Sequence, residues 1–335
     1  FDLILGTEIA SGAHGGEAVI GGRLRARGIG CFLAGSDASL GKDFETLLTS
    51  QAASDARARW RPSIVEVVAA KPITPKTPAS REVPPDMVAI GPVRFEMTVE
   101  YRVRETGFYD PNEFTEGRGY RLHTPAQVSH TADLGRYAIN LTPVTNAQYA
   151  EFLRRSGYKP ARTENFLKHW TNGAPPAGIE DHPVVYVDLD DARAYAAWAG
   201  KRLPSEGEWQ FAAQGPDGLR YPWGNEMTPS LCNGGETGGT TPVKAFPGGR
   251  SPFGCYDMCG NVWEWTESEH GSGHSRFAMI RGGSYFKAAG SDWYMDGGPQ
   301  PCRFAAKMLL MWPGLDRCAT VGFRCAVDLA PPAAL

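Results

Sequence analysis

The sequence predicts an α+β protein poor in regular secondary structure. Three observations lead there. Glycine (40) and proline (26) are abundant among 335 residues, which favours loops over long helices. Three short segments carry helix signals at their ends. The remaining apolar runs are short, strand-like and bounded by glycine.

Taken in order, residues 1–34 read as short strands. "LILGTEI" and "EAVIGGRLRARGIGCFLAG" alternate or run apolar between glycines, and Gly21-Gly22 suits a hairpin turn. Over 42–60 the helical period places Phe44, Leu47, Leu48 and Ala52 on one face. "SIVEVVAA" reads as a strand. Residues 71–86 hold five prolines and read as an extended linker. The expected organisation is a β-rich segment with one helix over 1–70, the linker, and a larger domain over 87–330.

In the larger domain, "MVAIGPVRFEMTVEYRVRE" reads as a strand pair and the stretch after it as irregular. Thr145 with Gln148 three residues on is a capping box. Tyr149, Phe152 and Leu153 give the apolar stripe, and Gly157 can end the helix. A second helix buries Ala192, Tyr195, Ala196 and Ala199. Asp188, Asp190 and Asp191 supply negative charge at its N-terminus. Ser205 and Glu208 form another capping box, Trp209 and Ala213 face inward, and Gly215 stops the helix. From about 216 onward the chain is glycine-rich with few periodic segments.

Composition excludes some classes of function. The net charge of −3 leaves no basic footprint for nucleic acid. No apolar run approaches the roughly 18 residues of a membrane span, so a soluble protein is expected. The chain begins at Phe1 and not Met; the expectation is a natural N-terminus upstream, within a larger multidomain protein, with the compartment unread. No nucleophile elbow, P-loop or dinucleotide fingerprint occurs; the glycines of "IGGRLRARGIG" precede no helix.

Several consecutive segments then match one family: "TPVTNAQYAEFL", "HPVVYVDLDDARAYAAWAGKRLPSEGEWQFAAQG", "YPWGNE", "CNGG", "TPVKAFPGGRSPFGCYDMCGNVWEWTES", "RGGSYF" and "GFRCA". In this order they resemble the formylglycine-generating enzyme (sulfatase-modifying factor) superfamily over about residues 86–328. The resemblance implies an α+β fold of C-type-lectin-like type. Its members include copper-dependent oxidases of a substrate cysteine, iron-dependent sulfur–carbon bond-forming enzymes, and binding proteins that display ligand sites on the same scaffold. Family membership alone therefore does not give function.

The resemblance also implies calcium. Asn261 and Glu264, three apart in "GNVWEW", with the Val262 carbonyl, match one structural calcium site; such oxygens suit a hard cation. A capped turn with Trp263 and Trp265 in the core explains the same residues. A second calcium site would use Asn233 and Gly234, but the acidic partner of the family pattern is missing from "GETGGTTPV".

The seven cysteines stand at 31, 232, 255, 259, 302, 318 and 325. The family oxidases hold Cu(I), which accepts near-linear thiolate pairs, in a pattern resembling Cys-x₄-Cys-Ala-Ala-Arg. Here "PQPCRFAAK" puts Pro299 and Phe304 at the two ligand positions, which disfavours copper. Cys302 and Cys318 remain as the one pair with possible catalytic use. They read as a disulfide worth about 3 kcal/mol, as metal ligands in a divergent thiolate site, or as buried thiols. Cys255, Cys259 and Cys325 read as core packing. Iron is disfavoured as well: the helical His-x₃-His-x-Glu pattern is absent, and His270 and His274 are separated by glycines.

What remains is a surface. Trp265, Arg281, Ser284, Trp293 and Tyr294 fall in the region that forms the family's active-site groove. Aromatic rings interleaved with Arg and Asp suit sugars or peptides. Met308 and Trp312 are assigned to core. The expected function is a ligand-binding module for carbohydrate or peptide that has lost the copper pair. The alternative is a metal- and O₂-dependent oxidoreductase built around Cys302 and Cys318.

Overall fold

The computed structural model describes residues 11–14, 17–20, 46, 78–102, 125–271, 276–287, 297–310, 314 and 316–331. The chain divides into two compact units, Phe1–Glu66 and Val67–Leu335. In the first, β1 (Ser11–His14) pairs antiparallel with β2 (Glu17–Ile20). "EAVI" thus pairs with the segment before it. The turn expected at Gly21-Gly22, nearly all of 42–60, and "SIVEVVAA" lie outside the described residues.

In the second unit three helices form where expected, two of them at the predicted capping boxes and the one after Asp188 at a capping box with Asp191, beyond the charge expected there. These are α1 (Asn146–Ser156), α2 (Leu189–Trp198) and α3 (Glu206–Gln214). Thr145, Asp188 and Ser205 each accept a hydrogen bond from the third backbone N–H beyond them, and the third residue's side chain answers. Two of the N–H groups that every helix start leaves unpaired are satisfied this way. Gly157 ends α1 in the left-handed conformation (φ 65°).

Strands β3 (Met87–Ile90) and β4 (Val93–Arg102) form as expected but do not pair with each other. Gly91 and Pro92 turn the chain from one sheet to the next. A Cβ on Gly91 would stand 2.9 Å from the Gly135 carbonyl oxygen, so the two turns fit only with glycine there. β3 pairs with β6 (Tyr137–Asn140), which also pairs with β13 (Ala326–Asp328). β4 pairs over ten residues with β5 (Pro125–Leu134). The glycine-rich C-terminal half is more regular than its composition suggests. A four-stranded sheet runs β11 (Ala305–Leu309), β8 (Arg276–Arg281), β7 (Trp263–Gly271) and β12 (Val321–Phe323), with β12 parallel to β7. β9 (Gly283–Lys287) pairs with β10 (Gly297–Pro299). Among the described residues no helix is long and apolar enough to cross a membrane.

Two cores result. The first packs α1 and α2 on the four-stranded sheet through Tyr149, Phe152, Tyr195, Trp265, Ile280 and Phe323. The second packs α3 on β3 and β6 through Tyr137, Ile139, Trp209, Phe211, Cys255, Met258 and Cys302. Each large side chain so buried contributes about 1.5–3 kcal/mol.

Glu264 and Arg324, both fully buried, join the two cores. Arg324 Nε and Nη2 donate to the Glu264 oxygens at 2.6 and 2.7 Å. Its remaining donors reach the carbonyls of Asn140 (3.0 Å) and Tyr256 (2.7 Å). Trp209 Nε1 donates to Glu264 Oε2 at 2.8 Å. Removing one member strands the other charge in a dry interior, which costs about 3–5 kcal/mol. Arg324→Met is therefore expected to lower the unfolding free energy by that amount in urea titration, and a loss below about 1 kcal/mol would contradict this account.

A further interior site gives a pH dependence. His169 packs tilted on Tyr186 with centroids 5.2 Å apart, and neither ring nitrogen has a hydrogen-bond partner. Burial holds its pKa below the ordinary 6.5. As pH falls through about 6.5 the unfolded chain takes up this proton before the folded one does, so stability drops. Urea unfolding at pH 7 and pH 5 should show a loss on acidification that His169→Phe reduces. An unchanged pH slope in the variant would exclude His169 as its source.

Candidate functional site

The segment Pro299–Phe304 is held on several sides by backbone hydrogen bonds. Gln300 N–H donates to Gly282 O (3.1 Å), Cys302 N–H to Arg220 O (2.8 Å), and Glu100 N–H to Arg303 O (2.8 Å). These contacts draw β4, the 220–221 turn and the end of β10 around one cleft of about 490 Å³. Pro299, Pro301 and Phe304 form its apolar side. Glu100, Arg102, Gln127, Arg220 and Gln300 supply polar groups, and Tyr221 supplies a ring. Tyr221 stacks on Trp223 at 5.7 Å and 11°, and Trp223 is anchored through Nε1 to Glu226 O at 3.0 Å. A ring held this way is a rigid platform for a sugar face or a peptide side chain.

Pro299 and Phe304, which the resemblance puts at the copper-ligand positions, both line this cleft. Phe304 is 5% exposed and packs against Trp263 at 6.2 Å. Neither residue offers a metal a donor atom. Among the described residues no group of three or more His, Cys, Asp or Glu side chains is placed to hold a metal ion.

Three residues expected to bind ligand are interior instead. Trp265 is fully buried, and its Nε1 donates to Val187 O at 3.0 Å. Arg281 is fully buried, paired through Nη2 with Glu206 Oε2 at 3.0 Å, and donates from Nη1 to the carbonyls of Arg303 (3.3 Å) and Phe304 (3.2 Å). It supports the cleft floor from behind. Ser284 is buried, and its Oγ accepts from Phe286 N–H at 3.3 Å. Proximity to the family groove in sequence misled here, because alternate strand residues point away from a surface. Trp293 and Tyr294 lie outside the described residues, as does Trp312.

Glu264, expected at a calcium site, gives both its oxygens to Arg324. Asn233 and Asn261, expected at two separate sites, meet each other: Asn233 Nδ2 donates to Asn261 Oδ1 at 3.2 Å. Asn261 Oδ1 also accepts from Thr241 N–H (3.0 Å), and Asn261 Nδ2 lies 3.4 Å from Asp257 Oδ1. Gly234 N–H donates to Glu236 at 3.1 Å. Val262 is buried beside these residues in sequence.

The cysteines are arranged differently from the sequence expectation. Cys302 sits fully buried in the second core, whereas Cys318 is half-buried against the first, its Sγ 3.3 Å from Thr320 Oγ1. Neither is in a disulfide. Burial pushes the Cys302 thiol well above its usual range, which keeps it protonated and a poor ligand or nucleophile. Cys255 and Cys325 are core residues as expected, and burial raises Cys325 to about 12. Cys259 and Cys232 are buried too, and burial, with Cys232 nearby, raises the Cys259 thiol well above its usual range.

Comparison with known proteins agrees with this architecture. Over 201 residues the chain is 35% identical to the bovine protein named inactive C-alpha-formylglycine-generating enzyme 2, covering 46% of this chain and 66% of that relative, just under two thirds of its length. It is 37% identical over 237 residues to formylglycine-generating enzyme from Thermomonospora curvata, covering 55% of this chain and 72% of the relative. Among solved structures, PvdO from Pseudomonas aeruginosa is similar at 24% identity and a TM-score of 0.46, over 76% of this chain and all of that one. The sulfatase-modifying factor enzyme 1-like domain matches residues 74–329. With that match over most of its length, the chain belongs to the sulfatase-modifying factor (formylglycine-generating enzyme-like) family.

Proposed function

We propose that this chain is a ligand-binding member of its family, taking a carbohydrate or peptide in the Pro299–Phe304 cleft and not oxidising a substrate cysteine. One observation carries the reading. Pro299 and a packed Phe304, the residues that the resemblance puts at the oxidases' two thiolate positions, line the cleft. The chemistry left at the cleft is hydrogen bonding from Arg102, Gln127, Arg220 and Gln300 beside the Tyr221 ring, which fits a neutral or acidic polar ligand. The relative named inactive is in keeping with lost catalysis. The divergent thiolate site at Cys302 and Cys318 finds no support, because the two thiols pack in different cores.

Screening the purified chain on a glycan array and a displayed peptide library tests this. A binder is expected whose affinity falls about tenfold or more in Tyr221→Ala, the loss of one stacking contact and its buried area. In parallel, the chain supplied with Cu(I) and O₂ should form no aldehyde on a cysteine-containing peptide. Aldehyde formation at rates above the protein-free control would overturn the proposal.

Calcium belongs to the same proposal in a narrower form. The residues on offer are Asn233, Asn261 and Asp257, whose side-chain oxygens now accept hydrogen bonds within the protein and would exchange them for the ion. Calcium added to chelator-treated protein is expected to raise Tm, and Asn261→Ala to abolish the increment. An absent increment in the wild-type chain removes calcium from the account.

A further inference from the structure

We propose that a second cleft, separate from the Pro299–Phe304 cleft, binds a small zwitterion: a free amino acid or a dipeptide, carrying one ammonium and one carboxylate. This cleft has a volume of about 430 Å³, within the range of small-molecule sites. It shares no lining residue with the first cleft. One part of its lining gathers at the end of β6, where Leu141 N–H donates to Asp86 O at 2.9 Å; Asp86 and Asn140 line the cleft there. Lys201 joins them from the turn after α2, next to Arg202, whose N–H donates to Ala326 O of the same sheet at 2.9 Å. A second part comes from Asp181 and Lys244, held together by the Val243 N–H on Asp181 O at 2.9 Å.

The charges around this cleft are complementary yet unpaired. Asp86 and Lys201 stand in one part of the lining, Asp181 and Lys244 in the other. Among the described residues none of these four side chains is in an ion pair. Elsewhere in the fold opposite charges close on each other, as Glu264 and Arg324 do. Two nearly buried lining side chains also keep a free polar end. Asn140 is 9% exposed, and its Oδ1 accepts from Cys325 N–H at 3.1 Å. Its Nδ2 has no partner among the described residues. Tyr195 is 7% exposed and stacks on Tyr149 at 5.7 Å and 14°; its hydroxyl is likewise unpartnered among the described residues. Polar groups this deep call for a partner, and an occupant of the cleft supplies one.

The choice of a zwitterion follows from the charges. Two aspartates repel a ligand that carries only negative charge, and two lysines repel one that carries only positive charge. A neutral ligand would take water from all four and return weaker hydrogen bonds. The start of α1 borders the cleft but adds no anion site. Its first N–H groups are taken by His182 O (2.9 Å), Glu180 O (2.9 Å) and Thr145 Oγ1 (3.3 Å). The carboxylate is assigned to Lys201, Asn140 Nδ2 and the Tyr195 hydroxyl, which can all donate. The ammonium is assigned to Asp181.

Calorimetric titration of the intact chain with the common free amino acids and with alanyl dipeptides tests the proposal. At least one is expected to bind with a Kd of about 1 mM or tighter, and either class supports the proposal while fixing the size of the occupant. N-acetylation or C-terminal amidation of that ligand removes one charge, and each should weaken binding about tenfold, the loss of one charge-assisted hydrogen bond. Lys201→Gln and Asp181→Asn should each weaken it to a similar extent. Lys201 is half-buried and Asp181 exposed; the titrations with derivatised ligand use the wild-type chain and decide the question even where a variant fails to fold. Overturning results are no binding of any of these compounds at about 10 mM, binding indifferent to both derivatisations, or binding unchanged in both variants.

Discussion

Much of this structure depends on one buried ion pair. Glu264 and Arg324 are both removed from water, so each is tolerable only because the other is there. The pair is not isolated. Arg324 also holds the carbonyls of Asn140 and Tyr256, and Glu264 takes the indole N–H of Trp209. One guanidinium thereby fixes β6, the 255–258 turn, the start of β7 and helix α3 relative to one another. An apolar pair of the same volume would fill the space as well, but it has no directional preference. The fold is loop-rich, with two cores that share little regular structure, and directional contacts at the seam set how the cores are juxtaposed.

A second charged contact performs the same service for the cleft. Arg281 pairs with Glu206 from α3 and donates to the carbonyls of Arg303 and Phe304. The segment under the cleft is therefore set by α3, which is itself set by the Glu264–Arg324 junction through Trp209. Binding residues that stand on loops need such support, because loop backbone has few ladder hydrogen bonds of its own. The surface of the cleft can then vary without any change to the scaffold beneath it.

The sequence made the helices legible because a capping box is a local signal: both partners sit within four residues. The sheets were not legible in the same way. β5 does alternate, with Ala126, Val128, Ala132 and Leu134 half-buried between exposed residues, but two alanines and His130 on that face make its apolar stripe weak. From Trp263 to Ser268 every residue of β7 is buried, so alternation is absent there. The pairing expected between β3 and β4 failed because Gly91 and Pro92 send them to different sheets. The cleft position was readable from the resemblance at "PQPCRFAAK", but its lining was not. Arg102, Gln127 and Arg220 come from three separate elements and belong to no motif. Arg281 and Ser284 were expected to face ligand, yet both are buried, and Arg281 supports the cleft from inside.

The cysteines show most directly why nearness in sequence is a poor guide here. Cys302 and Cys318 lie close along the chain, but β11 runs between them and carries the chain from the second core to the first. Cys232 and Cys259 lie farther apart, yet they flank Asn233 and Asn261, whose backbones hydrogen-bond. Residues beside a tertiary hydrogen bond inherit its proximity whatever their separation. The nearness of the two cysteines is thus set by the asparagine seam and not by any cysteine spacing. That seam also lies against the cleft: the Cβ that Gly260 lacks would stand 3.3 Å from Pro299 Cγ.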